Sequence, residues 1–173
     1  MKIILIGFMG SGKSTIAKAL SQLLGIDFLE MDELVYKKTN TQNMQQVFEK
    51  GGEALLRETE IAIAKEYAMH RNLIISTGGG VVLNPTILDY LKKTGGLVVF
   101  LHTPFERIVK RLKGDQSRPL LQQKESAKTL YTRRMPLYFR YADEILSTGS
   151  QSPNKISLQI KKLLHQKGLL NGF

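Results

Sequence analysis

Residues 7–14, Gly7-Phe8-Met9-Gly10-Ser11-Gly12-Lys13-Ser14, decide the reading of the whole chain. The run before them, Ile3-Ile4-Leu5-Ile6, is apolar and reads as a buried strand. After them Ile16, Ala17, Leu20, Leu23 and Leu24 recur at helical spacing. Strand, glycine-rich turn and helix form the context that the pattern G-x-x-x-x-G-K-[ST] requires. Without Cβ atoms at Gly7, Gly10 and Gly12, the loop can turn its N–H groups inward around phosphate oxygens. The positive end of the following helix adds to that field. Lys13 can reach the β- and γ-phosphates, the Ser14 hydroxyl can ligate Mg²⁺, and Thr15 follows as a helix neighbour. The plain alternative is a turn that only joins strand to helix.

Working outward, 27–30 reads as a short strand ending in Glu30-Met31-Asp32. If the strand continues, alternation puts Glu30 and Asp32 on one side, toward the carboxyl end of the sheet where α/β folds bind ligands. Two surface carboxylates are the other reading. Short helices are expected over 32–38 and 42–50, a break at Gly51-Gly52, and a longer helix over 53–70. Arg57 lies among Glu53 and Glu60, the spacing of an ordinary surface ion pair. The strand 73–76 runs into Thr77-Gly78-Gly79-Gly80. Three glycines exceed what a turn needs, which favours a ligand lying against bare backbone over a plain loop. Asn84 and Pro85 start a helix to about Thr94, and 97–101 is a strand buried on both faces. Thr103-Pro104-Phe105-Glu106 has the form of a capping box opening a helix to about Lys113, which carries Arg107, Lys110 and Arg111 on one polar side. Residues 114–123 read as a loop carrying Arg118, either a lid over phosphates or a solvated surface segment. Helix is expected over 125–134, an interruption at Met135-Pro136, resumption over 137–142, a strand over 144–146 and a last helix over 153–165. The tail 167–173 is expected to be loosely held. Five strands alternating with helices imply a parallel sheet with helices on both faces.

The 173 residues fit a single domain, with 42% hydrophobic residues and no cysteine. A disulfide framework and thiolate metal sites are therefore excluded, and His70, His102 and His165 match no zinc spacing. No apolar run is long enough to cross a membrane, and the first residues read as strand rather than a leader, so a cytoplasmic protein is expected. The net charge of +10 points to anionic partners. Residues 104–141 hold ten Lys/Arg against Glu106, Asp115 and Glu125. That excess suits nucleotide phosphates plus an acidic substrate, a nucleic-acid surface, or a solvated helical face.

The ordered motifs resemble the shikimate kinases from about Lys2 to about Leu164. They are residues 7–14, Glu30-Met31-Asp32, Phe48 before Gly51-Gly52-Glu53, Arg57-x-x-Glu60, Gly78-Gly79-Gly80, Arg118-Pro119-Leu120 and Arg133-Arg134-Met135-Pro136-Leu137-Tyr138. The resemblance implies a three-layer α/β/α P-loop NTPase fold, with an acceptor-binding helical segment near 32–70 and a mobile lid near 112–124. It implies Mg²⁺-dependent transfer of the ATP γ-phosphate to the 3-hydroxyl of shikimate, in aromatic amino acid biosynthesis. ATP would be held by Gly10, Ser11, Gly12, Lys13, Ser14, Thr15, Arg111 near adenine, and the lid Arg118. Shikimate would be held by Asp32, Arg57, Gly78, Gly79, Gly80 and Arg134. Lys13, Asp32 and Arg118 would carry catalysis, and Ser14, with Glu30 through water, would hold the metal. The family commonly has Asp where this chain has Glu30, and often an aromatic at Leu56. Near 149–154 the match is poor and no residue is carried over. A monomer with neither nucleic-acid nor membrane partners is expected. A related small-molecule kinase, such as a gluconate kinase, and a non-catalytic nucleotide- or nucleic-acid-binding module are the alternatives.

Overall fold

Every side chain of β1 (Lys2–Ile6) is buried, because the strand has a neighbour on each edge and helices over each face. A computed structural model describes residues 1–112 and 124–170, apart from the side chains of Lys124 and Glu125. On one edge β3 (Leu73–Ser76) sets Ile75 beside Ile4, and on the other β4 (Gly96–His102) sets Val98 beside it. Outside these lie β2 (Asp27–Glu30) and β5 (Glu144–Ser147), giving the parallel order β2-β3-β1-β4-β5. The expected five-stranded parallel sheet is therefore present.

Alternation along β1 divides the core into two layers. Ile4 and Ile6 pack with Ile63 and Ala64 of α3 (Met44–Glu66) and with Ile87 and Leu91 of α4 (Pro85–Lys92). Ile3 and Leu5 pack with Ile16 and Leu20 of α1 (Lys13–Leu24) and with Ile156 and Ile160 of α7 (Pro153–Gln166). Lys2 is also buried, and its ammonium donates to the carbonyls of Tyr67 and Ala68, 2.8 Å each, at the negative end of α3. Because all strands are parallel, the segments that follow them emerge at one edge of the sheet.

Several local expectations need correcting. Strand β2 stops at Glu30, and α2 (Met31–Thr39) starts at once, so Asp32 sits in a first helical turn rather than on a strand. Met31, fully buried, pins the chain there, and an acidic first turn suits the helix dipole. The capping box does not form: α5 (Phe105–Arg111) has no side-chain cap. Thr103 instead turns its hydroxyl toward Ser11 O, 3.4 Å away, and the Thr148 hydroxyl. Pro136 does not interrupt α6, which runs Lys124–Tyr141. An interior proline costs about 3 kcal/mol. Anchors on both sides hold the helix through it: Arg134 donates to Gly79 O, and Tyr138 stacks on Phe100 at 5.0 Å and 14°. A 3₁₀ turn at Val81–Leu83 precedes α4, which ends at Lys92, short of Thr94. The chain after α7 is tied back by Leu169 N–H to Leu164 O, 2.9 Å. Residues 113–123 of the expected lid, Arg118 among them, and residues 171–173 lie outside the described residues.

The break at Gly51-Gly52 is real: α3 carries non-helical backbone there, with Gly52 at φ 65 and ψ −160. A side chain at Gly52 would meet nothing within 4 Å, so its substitution tests backbone strain alone. Gly52→Ala should destabilise the protein by about 1–3 kcal/mol in urea unfolding, without a packing defect.

Candidate active site

The phosphate loop between β1 and α1 is shaped by where its carbonyls go. Gly12 caps α1 at φ 95 and ψ 17, a left-handed conformation that disfavours any residue with a Cβ. The Lys13 ammonium donates to Gly7 O at 2.9 Å and Phe8 O at 3.2 Å. From the other side Arg111 donates to Gly10 O and Ser11 O, 3.3 Å each, and to Gly149 O at 3.2 Å. With the carbonyls drawn onto cations, the loop has the geometry of an anion-binding nest at a helix N-terminus.

A cavity of about 420 Å³ opens beside the loop. Lys13, Ser14 and Arg111 border it, and so do Glu30, Asp32 and Gly79. Burial pushes the Glu30 carboxyl above its ordinary value, and the nearby Asp32 charge adds to this. The adjoining Ser14 hydroxyl and the Lys13 ammonium act in the opposite sense.

Next to the cavity the three glycines meet three different neighbours. A Cβ on Gly78 would lie 2.9 Å from Glu60 Oε1 and 3.0 Å from Asp32 Oδ1. One on Gly79 would lie 3.2 Å from Met9 N, in the phosphate loop, and one on Gly80 would run into the Arg57 guanidinium. Close approach, on three sides, is why the run is glycine. Arg57 is held by Glu60 at 2.6 Å and by Glu53 at 3.0 Å. Burial works against its charge, but these carboxylates prevail and raise its proton affinity. Glu60 is almost wholly buried, and that burial raises its carboxyl against the pull of Arg57. Arg134 donates to Gly79 O at 3.1 Å, while burial, with the Arg57 charge adding, lowers its proton affinity. Among the described residues, Asp32 Oδ1 and Arg134 Nε are buried and make no hydrogen bond.

The structure thus gathers the predicted loop residues with Glu30, Asp32, Gly79 and Arg111 around one cavity, while Gly78, Gly80, Arg57 and Arg134 do not line it but adjoin Asp32, Gly79 and one another. Arg118 lies outside the described residues. Sequence reasoning assigned nothing to Tyr138, whose hydroxyl donates to Gly79 O. Its signal was its place four residues after Arg134, one turn along the same face of α6. Near 149–154, where the match is poor and no residue is carried over, Thr148, Gln151 and Pro153 line the cavity. Only the proline at the start of α7 marked that loop.

A parallel α/β/α sheet whose first strand feeds an anion nest, with that nest capping a helix and a lysine folded over it, defines a P-loop NTPase fold. The shikimate kinase family model matches residues 9–165. A shikimate kinase from Synechococcus elongatus is 35% identical over 164 residues, covering 95% of this chain and 85% of that protein. One from Aquifex aeolicus is 38% identical over 161 residues, covering 92% and 94%. The structure of shikimate kinase from Acinetobacter baumannii in complex with shikimate matches with a TM-score of 0.88 and 32% identity, covering 98% of this chain and 95% of that one. The chain belongs to the shikimate kinase family.

Because Glu30 binds its proton more tightly folded than unfolded, it costs stability as pH rises from the ordinary carboxylate range through its raised value. Glu30→Gln should therefore flatten the fall in melting temperature as pH rises above the ordinary carboxylate range. Some slope should remain from Glu60, which is shifted the same way. A melting profile parallel to the wild type would contradict this.

Proposed function

We propose that the protein transfers the γ-phosphoryl group of ATP to the 3-hydroxyl of shikimate, giving shikimate 3-phosphate and ADP within aromatic amino acid biosynthesis. The observation that carries this reading is the buried, unpartnered Asp32 oxygen beside the phosphate loop, with Arg57 and Arg134 close by. Relatives named shikimate kinase, and the shikimate bound in the Acinetobacter baumannii structure, supply the identity of the acid.

In this reading Gly10, Ser11, Gly12, Lys13, Ser14 and Thr15 hold the triphosphate, Arg111 borders the nucleoside side, and Arg118 closes over the phosphates. Arg57 and Arg134 clamp the acceptor carboxylate, which guanidinium groups can grip bidentately. The N–H groups along Gly78, Gly79 and Gly80 line the acceptor. Asp32 holds the acceptor hydroxyls and takes the proton that the attacking oxygen loses as the γ-phosphorus bond forms and the bond to ADP breaks. Lys13 and Arg118 stabilise charge on the transferring group. Closing the site keeps out water, which would otherwise accept the phosphoryl group.

The donor set fits Mg²⁺. Ser14 offers a hydroxyl with the Glu30 carboxylate beside it, and the described residues hold no cluster of three or more His, Cys, Asp or Glu that could bind a metal. Mg²⁺ commonly takes few protein oxygens and binds mainly through phosphates and water, so Ser14 directly, with Glu30 through water, suffices. When bound it neutralises phosphate charge. No described helix is long and apolar enough to cross a membrane. We infer a cytoplasmic enzyme that acts as a monomer, because one chain supplies all the residues assigned above.

A coupled ADP-release assay with shikimate, gluconate and other hydroxy acids tests the proposal. Turnover with shikimate is expected, and turnover only with another acid would overturn it. Asp32→Asn should lower kcat by about 10²–10⁴ while leaving ADP affinity, measured by calorimetry, nearly unchanged. Arg134→Lys should raise the shikimate KM roughly tenfold, with the ATP KM unaffected.

A further inference from the structure

Tyr138 is fully buried in α6, its ring stacked on Phe100 and its hydroxyl donating to Gly79 O. Burial pushes its phenol well above the ordinary range, so the group stays protonated and remains a donor. Arg134 donates to the same carbonyl from one turn earlier in the helix. Both lone pairs of one glycine carbonyl are thus taken by donors from a single helix.

That carbonyl shares its peptide plane with the N–H of Gly80. Glycine is required at 80, because a Cβ there would strike the Arg57 guanidinium. The same residue makes the peptide easy to turn over. Gly80 now sits at φ −98, and a flip would carry it to about +80, which glycine enters as readily as negative φ. A flipped peptide would aim Gly79 C=O, rather than Gly80 N–H, at an anionic acceptor. Arg134 alone is a poor guard against this, since an arginine gripping the acceptor carboxylate has less to give to a carbonyl. Tyr138 also adjoins the Arg134 guanidinium, so its hydroxyl braces the carbonyl and the arginine together. Its ring is fixed by packing, and its hydroxyl also polarises the peptide, which strengthens the N–H as a donor.

We propose that Tyr138 is a positioning residue that locks the Gly79–Gly80 peptide with its N–H toward the acid acceptor. This rests on the acceptor site described under the proposed function. Tyr138→Phe keeps the ring on Phe100 and removes the hydroxyl, with its contacts to Gly79 O and Arg134. It should raise the acceptor KM roughly three- to tenfold, leave the ATP KM and ADP affinity within about twofold, and melt cooperatively. Phe100→Leu supplies the opposite control. It removes the aromatic stack and keeps the hydroxyl, so it should lower the melting temperature and raise the acceptor KM less than Tyr138→Phe does, with the ATP KM unchanged.

An unchanged acceptor KM in folded Tyr138→Phe, or equal rises in both KM values, would overturn the proposal. An acceptor KM raised as much or more in Phe100→Leu would do the same by assigning the effect to packing, and if Tyr138→Phe fails to fold, equal rises in both KM values of Phe100→Leu would overturn the proposal. Failure of the wild-type protein to use shikimate would instead sink the proposed function. The two variants would then be compared with whichever hydroxy acid the wild type phosphorylates.

Discussion

Two guanidinium groups, Arg57 and Arg134, are partly buried and close enough to feel one another. Arginine does not shed its proton, so the repulsion cannot be relieved by titration. Glu53 and Glu60 compensate Arg57. Arg134 has a carbonyl and an aromatic face, Phe8 at 6.0 Å, and its Nε makes no hydrogen bond. A small carboxylate arriving between them would gain from both. The protein therefore carries, in its folded state, an electrostatic cost of a kind that an acid substrate lowers.

The rest of the molecule serves to hold that pair at a fixed distance from the phosphate loop. Gly79 packs against the backbone of Met9, so the phosphate loop and the glycine run proposed to line the acceptor share a backbone seam. Each loop follows a central, fully buried strand, and β1 and β3 are neighbours in register. The gap between these two loops is thus set by main chain packed on a sheet, which is stiffer than side chains could make it. Beyond the Gly51-Gly52 kink in α3, helical spacing sets Glu53, Arg57 and Glu60 on one face.

Elements that rest on local chemistry were legible from residues alone. The phosphate loop, the five strands and the break at Gly51-Gly52 each carry their own signal in glycine placement or apolar runs. Features decided by distant contacts were not. Pro136 reads locally as a helix breaker, yet Phe100 and Gly79, far away in sequence, hold the helix through it. Thr103 has the form of a cap, but Ser11 and Thr148 draw its hydroxyl elsewhere. Asp32 was tied to the right end of the sheet for a reason that fails, since a helix and not a strand carries it. The roles proposed for Arg57 and Arg134 came only through resemblance, because an arginine near two glutamates is, by itself, an ordinary surface pair.

The central claim is that a small hydroxy acid sits between Asp32, Arg57 and Arg134 with one hydroxyl facing the phosphate loop. A crystal structure with ADP and shikimate tests it most directly. The account predicts the carboxylate between the two guanidinium groups and a ring hydroxyl on Asp32, on the side facing the ADP β-phosphate. Shikimate bound elsewhere, or bound with its carboxylate turned away from Arg57 and Arg134, would contradict it.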